Sequence, residues 1–204
     1  AGGAESQVLA LSQSLVGRGW EVCVVSMTPI PDSLSSGHAS FDLTSLSMRP
    51  GVPDLTAIAK FRKLVAAFRP TVVHSHMVHA NIFARLSRIF CRMPKLICTG
   101  HSVREGGRWL TYAYRATDRL ANVTTYVSES AAAEAVLAGK VPANRVRVVP
   151  NGVDVKAFAP VESDRIKARR SLGIEGEFLW INVARLVPAK DHATLINAWA
   201  IVAR

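Results

Sequence analysis

Acidic residues are scarce in this sequence. Its 204 residues include 15 Asp and Glu against 25 Lys and Arg, a formal charge of +10. Such a surplus bears on solubility and partners rather than fold, and it leaves anionic lipid, phosphate-bearing substrates and nucleic acid open. Cysteine is scarcer still. Cys23, Cys91 and Cys98 are odd in number and form no C-x-x-C pair, which argues against a disulfide framework or a zinc knuckle. Two of them sit in apolar, strand-like runs and read as buried free thiols of a reducing compartment. No apolar run reaches the ~18–20 residues of a membrane span. No secretory signal is visible, which says little because the opening AGGAE lacks an initiator methionine. Internal repeats and low-complexity tracts are missing too. No G-x-G-x-x-G follows any strand, against a dinucleotide-dependent dehydrogenase. Interleaved aromatics, a helix-turn-helix and a zinc motif are all absent, against a basic nucleic-acid-binding module.

What is present is an alternation of short strands and helices. Hydrophobic residues make up 49% of the chain, ample for a core, and the length predicts one domain and part of another. Ala4, Val8, Leu11 and Leu15 share one helical face, ended by Gly17 and Gly19. EVCVVS reads as a buried strand, and the Pro/Ser/Gly-rich stretch from Thr28 to Pro53 as loop with one short strand at FDLTSL. Asp54 is a plausible N-cap for a helix closed by Pro70. TVVHSHM, KLICTGHS, NVTTYVS and VRVV read as strands. HANIFARLSRIFCRMP, RWLTYAYRATDRLA and SESAAAEAVLAGK read as the helices between them, the last capped by Ser128 or Ser130. Strands apolar on both faces and separated by helices predict an α/β, Rossmann-like parallel sheet covered on each side. Residues 1–155 form this domain. Residues 156–164 read as a linker, and in 165–204 the alternation restarts with DRIKARRSLG, the strand FLWINVARL and the helix KDHATLINAWAIVAR. One strand and its helices cannot bury a sheet alone. The expectation is a second Rossmann-like domain cut off near its start, and a first domain lacking its first strand.

Four stretches carry candidate chemistry. In AGGAE, Gly2 and Gly3 let backbone amides at a helix start face a phosphate or sugar, or simply make a tight turn. In TVVHSHMVH, strand alternation puts His74 and His76 on one side, with His79 just beyond. A metal site lacks a carboxylate or cysteine nearby in sequence to complete it. A polar residue at the C-terminal end of a parallel strand more often faces a ligand crevice, the preferred reading for His76. In TGHSVREGGRW, His101 ends a strand the same way, where it can donate a hydrogen bond, transfer a proton or stabilise the loop. The basic run around it includes Arg85, Arg88, Arg92, Lys95 and Arg115, some of which solvate a helix face. Arg104 and Arg108, in the loop beside His101, are better placed to meet an anionic substrate or membrane headgroups. In INVARLVPAKD, Arg185 at a strand tip and Lys190 across a short turn can converge on a diphosphate.

Taken in order, GGAE, VVHSH, TGHS, VSES, VPNGVD and ARLVPAKD resemble the retaining glycosyltransferases of family 4 (group 1), which have the two-domain GT-B architecture. The resemblance covers essentially the whole chain. It implies transfer of a sugar from a nucleotide-diphosphate donor to an acceptor hydroxyl with retained configuration, in cell-surface polysaccharide or glycolipid synthesis. Arg185 and Lys190 match the positions that grip the diphosphate and stabilise the leaving group. His101 matches the active-site histidine near the reacting centre, and Gly2 and Gly3 the glycine turn. Asn151 and Gly152 of VPNGVD fall with the donor-binding residues, whereas His76, Arg104 and Arg108 fall on the acceptor side. No cofactor and no divalent metal are implied, and no Asp-x-Asp motif is present.

The partners implied are a nucleotide-sugar donor and a glycan or lipid-linked acceptor, with no nucleic acid. The basic surplus adds peripheral contact with an anionic membrane, on the inner face of the cytoplasmic membrane. The family's Glu-x7-Glu motif is expected beyond Arg204, so this stretch alone is expected to be inactive. A nucleotide-sugar epimerase of the same two-domain shape is the main alternative, separated by whether an acceptor hydroxyl is needed.

Overall fold

The computed structural model describes residues 3–31, 40–52, 54–102, 107–174 and 176–202. The chain divides into two compact units, Ala1–Val153 and Asp154–Arg204. In the first, helix α1 (Gly3–Val16) leads into β1 (Cys23–Ser26) and β2 (Asp42–Ser45). Then follow α2 (Leu55–Phe68), β3 (Val72–His76), α3 (Val78–Ser87), β4 (Lys95–Gly100), α4 (Arg108–Thr117), β5 (Val123–Tyr126), α5 (Glu129–Leu137) and β6 (Val146–Val148).

Every strand pairing is parallel, as the doubly apolar strands predict. The strands fall into two sheets, β1-β2 and β3-β4-β5-β6, rather than one. Val25 of β1 and Val73 of β3 nevertheless pack against the same core cluster, built from Leu46, Ala57, Phe61, Val65, Cys91 and Met93. Further along, Leu96 and Cys98 are fully buried with Ala84 and Ala121, and α5 lays Ala131, Ala132 and Ala135 against Tyr126. The alanines let that helix approach the sheet closely.

The helix ends follow local chemistry. Asp54 caps α2, its carboxylate accepting from the amides of Thr56 (2.9 Å) and Ala57 (3.3 Å). Ser128 does the same for α5 through Ala131 N–H at 3.2 Å. Two helices stop earlier than their sequence patterns predict. The run toward Pro94 leaves the α-helix at Ser87, where the amides of Ile89 and Phe90 turn back to the third residue before them, Leu86 and Ser87. The run through Leu120 becomes a 3₁₀ turn at Asp118–Leu120. In α1, Ser12 rather than Leu11 is the buried residue, its hydroxyl satisfied by the Val8 carbonyl at 2.9 Å.

The second unit holds α6 (Glu162–Ser171), a 3₁₀ turn at Pro188–Lys190 and α7 (His192–Val202). The strand expected at FLWINVARL does not form. Its residues have no ladder partner among those described, and strand backbone needs one to satisfy its N–H and C=O groups. No described residue of this unit is buried.

Candidate functional site

The site begins where β3 and β4 end. Parallel register sets His76, the last residue of β3, opposite Thr99, and Gly100 closes β4 just before His101. This brings His76 Nδ1 to 3.0 Å from His101 Nε2. One hydrogen is shared between two ring nitrogens, so one imidazole donates and the other accepts. Strand alternation places His74 on the same side, and its ring stacks on His76 at 4.1 Å between centroids. His74 Nε2 lies 2.7 Å from Thr99 Oγ1, which in turn lies 2.6 Å from Thr125 Oγ1 on β5. The result is a polar row across three strand ends.

Burial pushes His76 down to about 3, helped by the neighbouring His74 and His101. His74 is lowered to about 4, again by burial first and by His101 second. His74 is exposed as a residue, while its Nε2 is engaged by Thr99 Oγ1. Both rings are therefore neutral near pH 7. Among the described residues no group of three or more His, Cys, Asp or Glu is arranged to hold a metal.

Two backbone features shape this corner. A Cβ on Gly100 would collide with Tyr126 Cε1, so only glycine lets β4 pass under that ring. Met77, directly after His76, has φ 74° and ψ 155°, a region that essentially only glycine enters without strain. Its N–H is held by the Thr99 carbonyl at 2.9 Å.

On the other side of β3, Ser75 donates to Asn81 Oδ1 at 2.7 Å. Asn81, fully buried on α3, donates to the Thr99 carbonyl (3.0 Å) and the Tyr114 hydroxyl (2.9 Å). Arg85, one helical turn on, is also completely buried. It reaches Tyr114 O, Thr124 Oγ1 and Asp118, and its guanidinium lies 4.0 Å above the Tyr114 ring. Asp118 is gripped a second time by Arg145 at 2.8 Å. Arg88 binds the carbonyls of Leu120 (2.7 Å) and Pro94 (3.3 Å). Part of the basic run is thus architectural: Arg85 and Arg88 tie α3 to the turn before β5.

The other predicted residues divide as follows. Gly2 and Arg104 lie outside the described residues. Gly3 opens α1, and one turn later Gln7 Nε2 donates to the Gly152 carbonyl at 2.9 Å. This brings Gly152 beside the first turns of α1, with Asn151 and Gly152 both exposed. Arg108 is the exposed first residue of α4. In the second unit Arg185 and Lys190 are exposed on either side of the Pro188 turn. His192 Nε2 donates to the Arg185 carbonyl at 2.9 Å, so its Nδ1 accepts from Asn182 at 3.1 Å. That ring staples the Arg185 segment to α7. Thr99, Thr125, Gly100, Asn81, Gln7 and His192 were not read from the sequence. Only Gly100 left a signal there, as the glycine preceding His101.

These features define a parallel α/β domain with polar side chains gathered at the C-terminal strand ends, where open α/β sheets bind ligands. The chain belongs to Glycosyltransferase Family 4, whose model matches residues 1–157. It is 25% identical over 176 residues to the UDP-Gal:alpha-D-GlcNAc-diphosphoundecaprenol alpha-1,3-galactosyltransferase of Escherichia coli, covering 80% of this chain and 44% of that protein. It is 28% identical over 152 residues to EpsF of Bacillus subtilis (strain 168), which carries a glycosyltransferase name, covering 70% of this chain and 40% of that protein. Among solved structures, Anabaena Alr3699/HepE in complex with UDP superposes with a TM-score of 0.79 at 20% identity, covering 98% of this chain and 54% of that one. The fold is of the GT-B glycosyltransferase type. The chain spans about half the length, or less, of these relatives.

Proposed function

We propose that the chain forms the acceptor-side domain and the opening of the donor-side domain of a glycosyltransferase. The enzyme moves a hexosyl group from a uridine-diphosphate sugar to a hydroxyl of a lipid-diphosphate-linked glycan, with retention of configuration. The observation that carries this is the His76–His101 pair at adjoining strand ends, inside the segment that matches the family model. The donor class follows the E. coli galactosyltransferase's own name and the UDP bound to Anabaena Alr3699/HepE.

In this reading His101 contacts the donor sugar beside the reacting carbon. Arg185 and Lys190 grip the diphosphate and offset the charge that develops as it leaves. Gly2, Gly3, Asn151 and Gly152 serve the donor side, where Gly3 opens α1. His76, Arg104 and Arg108 serve the acceptor side. No metal or cofactor takes part.

α4 supports a peripheral membrane contact for presenting a lipid-linked acceptor. Trp109 and Tyr112 are exposed beside Arg108, a combination suited to an anionic headgroup layer. No described helix is long and apolar enough to cross a membrane. Co-sedimentation with liposomes should rise with anionic lipid and fall in Trp109→Ala; binding indifferent to lipid charge argues against this contact.

The deciding experiment assays sugar transfer by the protein of the complete reading frame, with a panel of nucleotide sugars and undecaprenyl-diphosphate-linked acceptors. Transfer that His101→Ala reduces by ~100-fold or more supports the reading. Donor conversion without an acceptor favours the epimerase instead, and no turnover of any donor overturns both. The 204-residue chain alone is expected to show no transfer.

A further inference from the structure

Three observations converge on His76. Its Nδ1 is joined to His101 Nε2 at 3.0 Å. Its ring is stacked on His74, which is anchored through Thr99 to Thr125 on β5. The next residue, Met77, is held at φ 74° by its bond to the Thr99 carbonyl. A backbone kept in that region against its strain marks a strand end whose position is over-determined by its surroundings.

We propose that His76 is a positioning residue that acts through His101, fixing its ring plane and its tautomer. This rests on the reading of His101 as the residue that meets the donor, and it replaces direct acceptor contact as the role of His76. The reasoning is a count of protons. A neutral imidazole carries one N–H, and the N···N contact holds one hydrogen. If His76 donates, His101 must carry its own proton on Nδ1; if His101 donates, its Nδ1 is a bare acceptor. In water the two tautomers of an isolated histidine exchange freely. In this pair neither ring changes tautomer unless the other changes with it. The protonation of His101 Nδ1 is thereby coupled to His76, a residue that need not touch substrate.

A positive charge on His76 is disfavoured by both neighbouring rings as well as by burial. The titratable groups acting on His76, among the described residues, are His74 on its own strand and His101 after β4. Thr99 and Thr125, reached through His74, carry no charge.

The test uses the 204-residue chain labelled with ¹⁵N at histidine. A scalar coupling across the hydrogen bond between His76 Nδ1 and His101 Nε2, with His101 in a single tautomer, is the expected result. Absence of that coupling when both nitrogens are resolved overturns the proposal, and this measurement needs no substitution. In His76→Phe, with the backbone amide spectrum preserved, His101 should show two exchanging tautomers. His76→Asn, which returns a polar atom near the position of Nδ1, should restore one. Unchanged His101 signals in His76→Phe overturn the proposal as well.

In the complete enzyme, His76→Phe should lower kcat about a hundredfold with donor KM nearly unchanged, the signature of a misplaced reacting group, and His76→Asn should recover most of it. Loss of KM alone would mean that His76 binds substrate and would overturn the positioning role. The coupling needs no donor, so its absence sinks this inference and leaves the proposed function intact. Coupling present in an enzyme that transfers no sugar sinks the proposed function instead.

Discussion

Leu96 and Phe178 stand in apolar runs of the same kind, one in each unit. Leu96 is fully buried in β4 between two parallel neighbours, whereas Phe178 is 82% exposed in a segment with no strand pairing. The contrast extends to whole units. The first has three buried clusters and a buried ionic network. The second has an aromatic contact chain, Phe178–Trp180–Trp199, with every member exposed. β-propensity is thus a statement about what a segment does beside a partner. Given a neighbouring strand it orders and is buried; without one it keeps the composition and loses the structure.

Several substitutions would break or sharpen this comparison. The largest effect is expected from Asp118→Ala in the first unit. It would leave Arg85, completely buried, without its carboxylate, and Arg145 with only its bonds to the Asp118 and Ala121 carbonyls. Stranding a buried charge costs about 3–5 kcal/mol, read as a lower urea midpoint for the first unit. Retained stability would show that the Arg85–Asp118 contact at 3.4 Å is incidental.

Next comes Gly100→Ala. The added methyl collides with the Tyr126 ring in the core, and overpacking of this kind costs about 1–3 kcal/mol. Because Gly100 adjoins His101, the His101 ring signals should shift too. A thermal midpoint equal to that of the unsubstituted chain would mean that Tyr126 moves aside freely.

A pH effect of intermediate size belongs to the first unit alone. In the folded chain His76 is held at about 3 and His74 at about 4, below the ordinary value of 6.5. As pH falls below 6.5 the unfolded chain takes up protons that the folded one refuses at these two sites, so their contribution to stability declines down to about pH 3 and levels off beneath it. Above 6.5 both states are neutral at these sites and no dependence remains. Replacing His76 with Phe should flatten the decline, measured as urea midpoints across pH; an equal slope in the variant would refute the assignment.

The smallest effect is expected in the second unit. Glu162 and Arg165 pair at 3.1 Å with both side chains more than 60% exposed. Glu162→Ala should change stability by less than about 0.5 kcal/mol. A larger loss would indicate that the second unit is more cooperatively built than its exposure implies.

The features legible in the sequence were those encoded locally. The Asp54 cap, the glycine stop after α1, the strand at VVHSH and the shared side of His74 and His76 all follow from periodicity and neighbouring side chains. The strand at FLWINVARL was misread for the opposite reason, since its apolar pattern was local but its pairing was not. Arg85 had no signal of its own. On a helix diagram it is one more cation in a basic run, and only α3 packing beside α4 and the Asp118 turn reveals it as buried.

The amino-acid sequence by itself determined the class of fold, the parallel character of the strands and the family, because alternation of apolar runs and short motifs is written along the chain. Tertiary structure alone decided that His76 meets His101, that Thr99 and Thr125 extend the row and that Gly100 must lack a side chain. Those contacts join residues about twenty-five positions apart, and they exist only once parallel register has set one strand end beside the next.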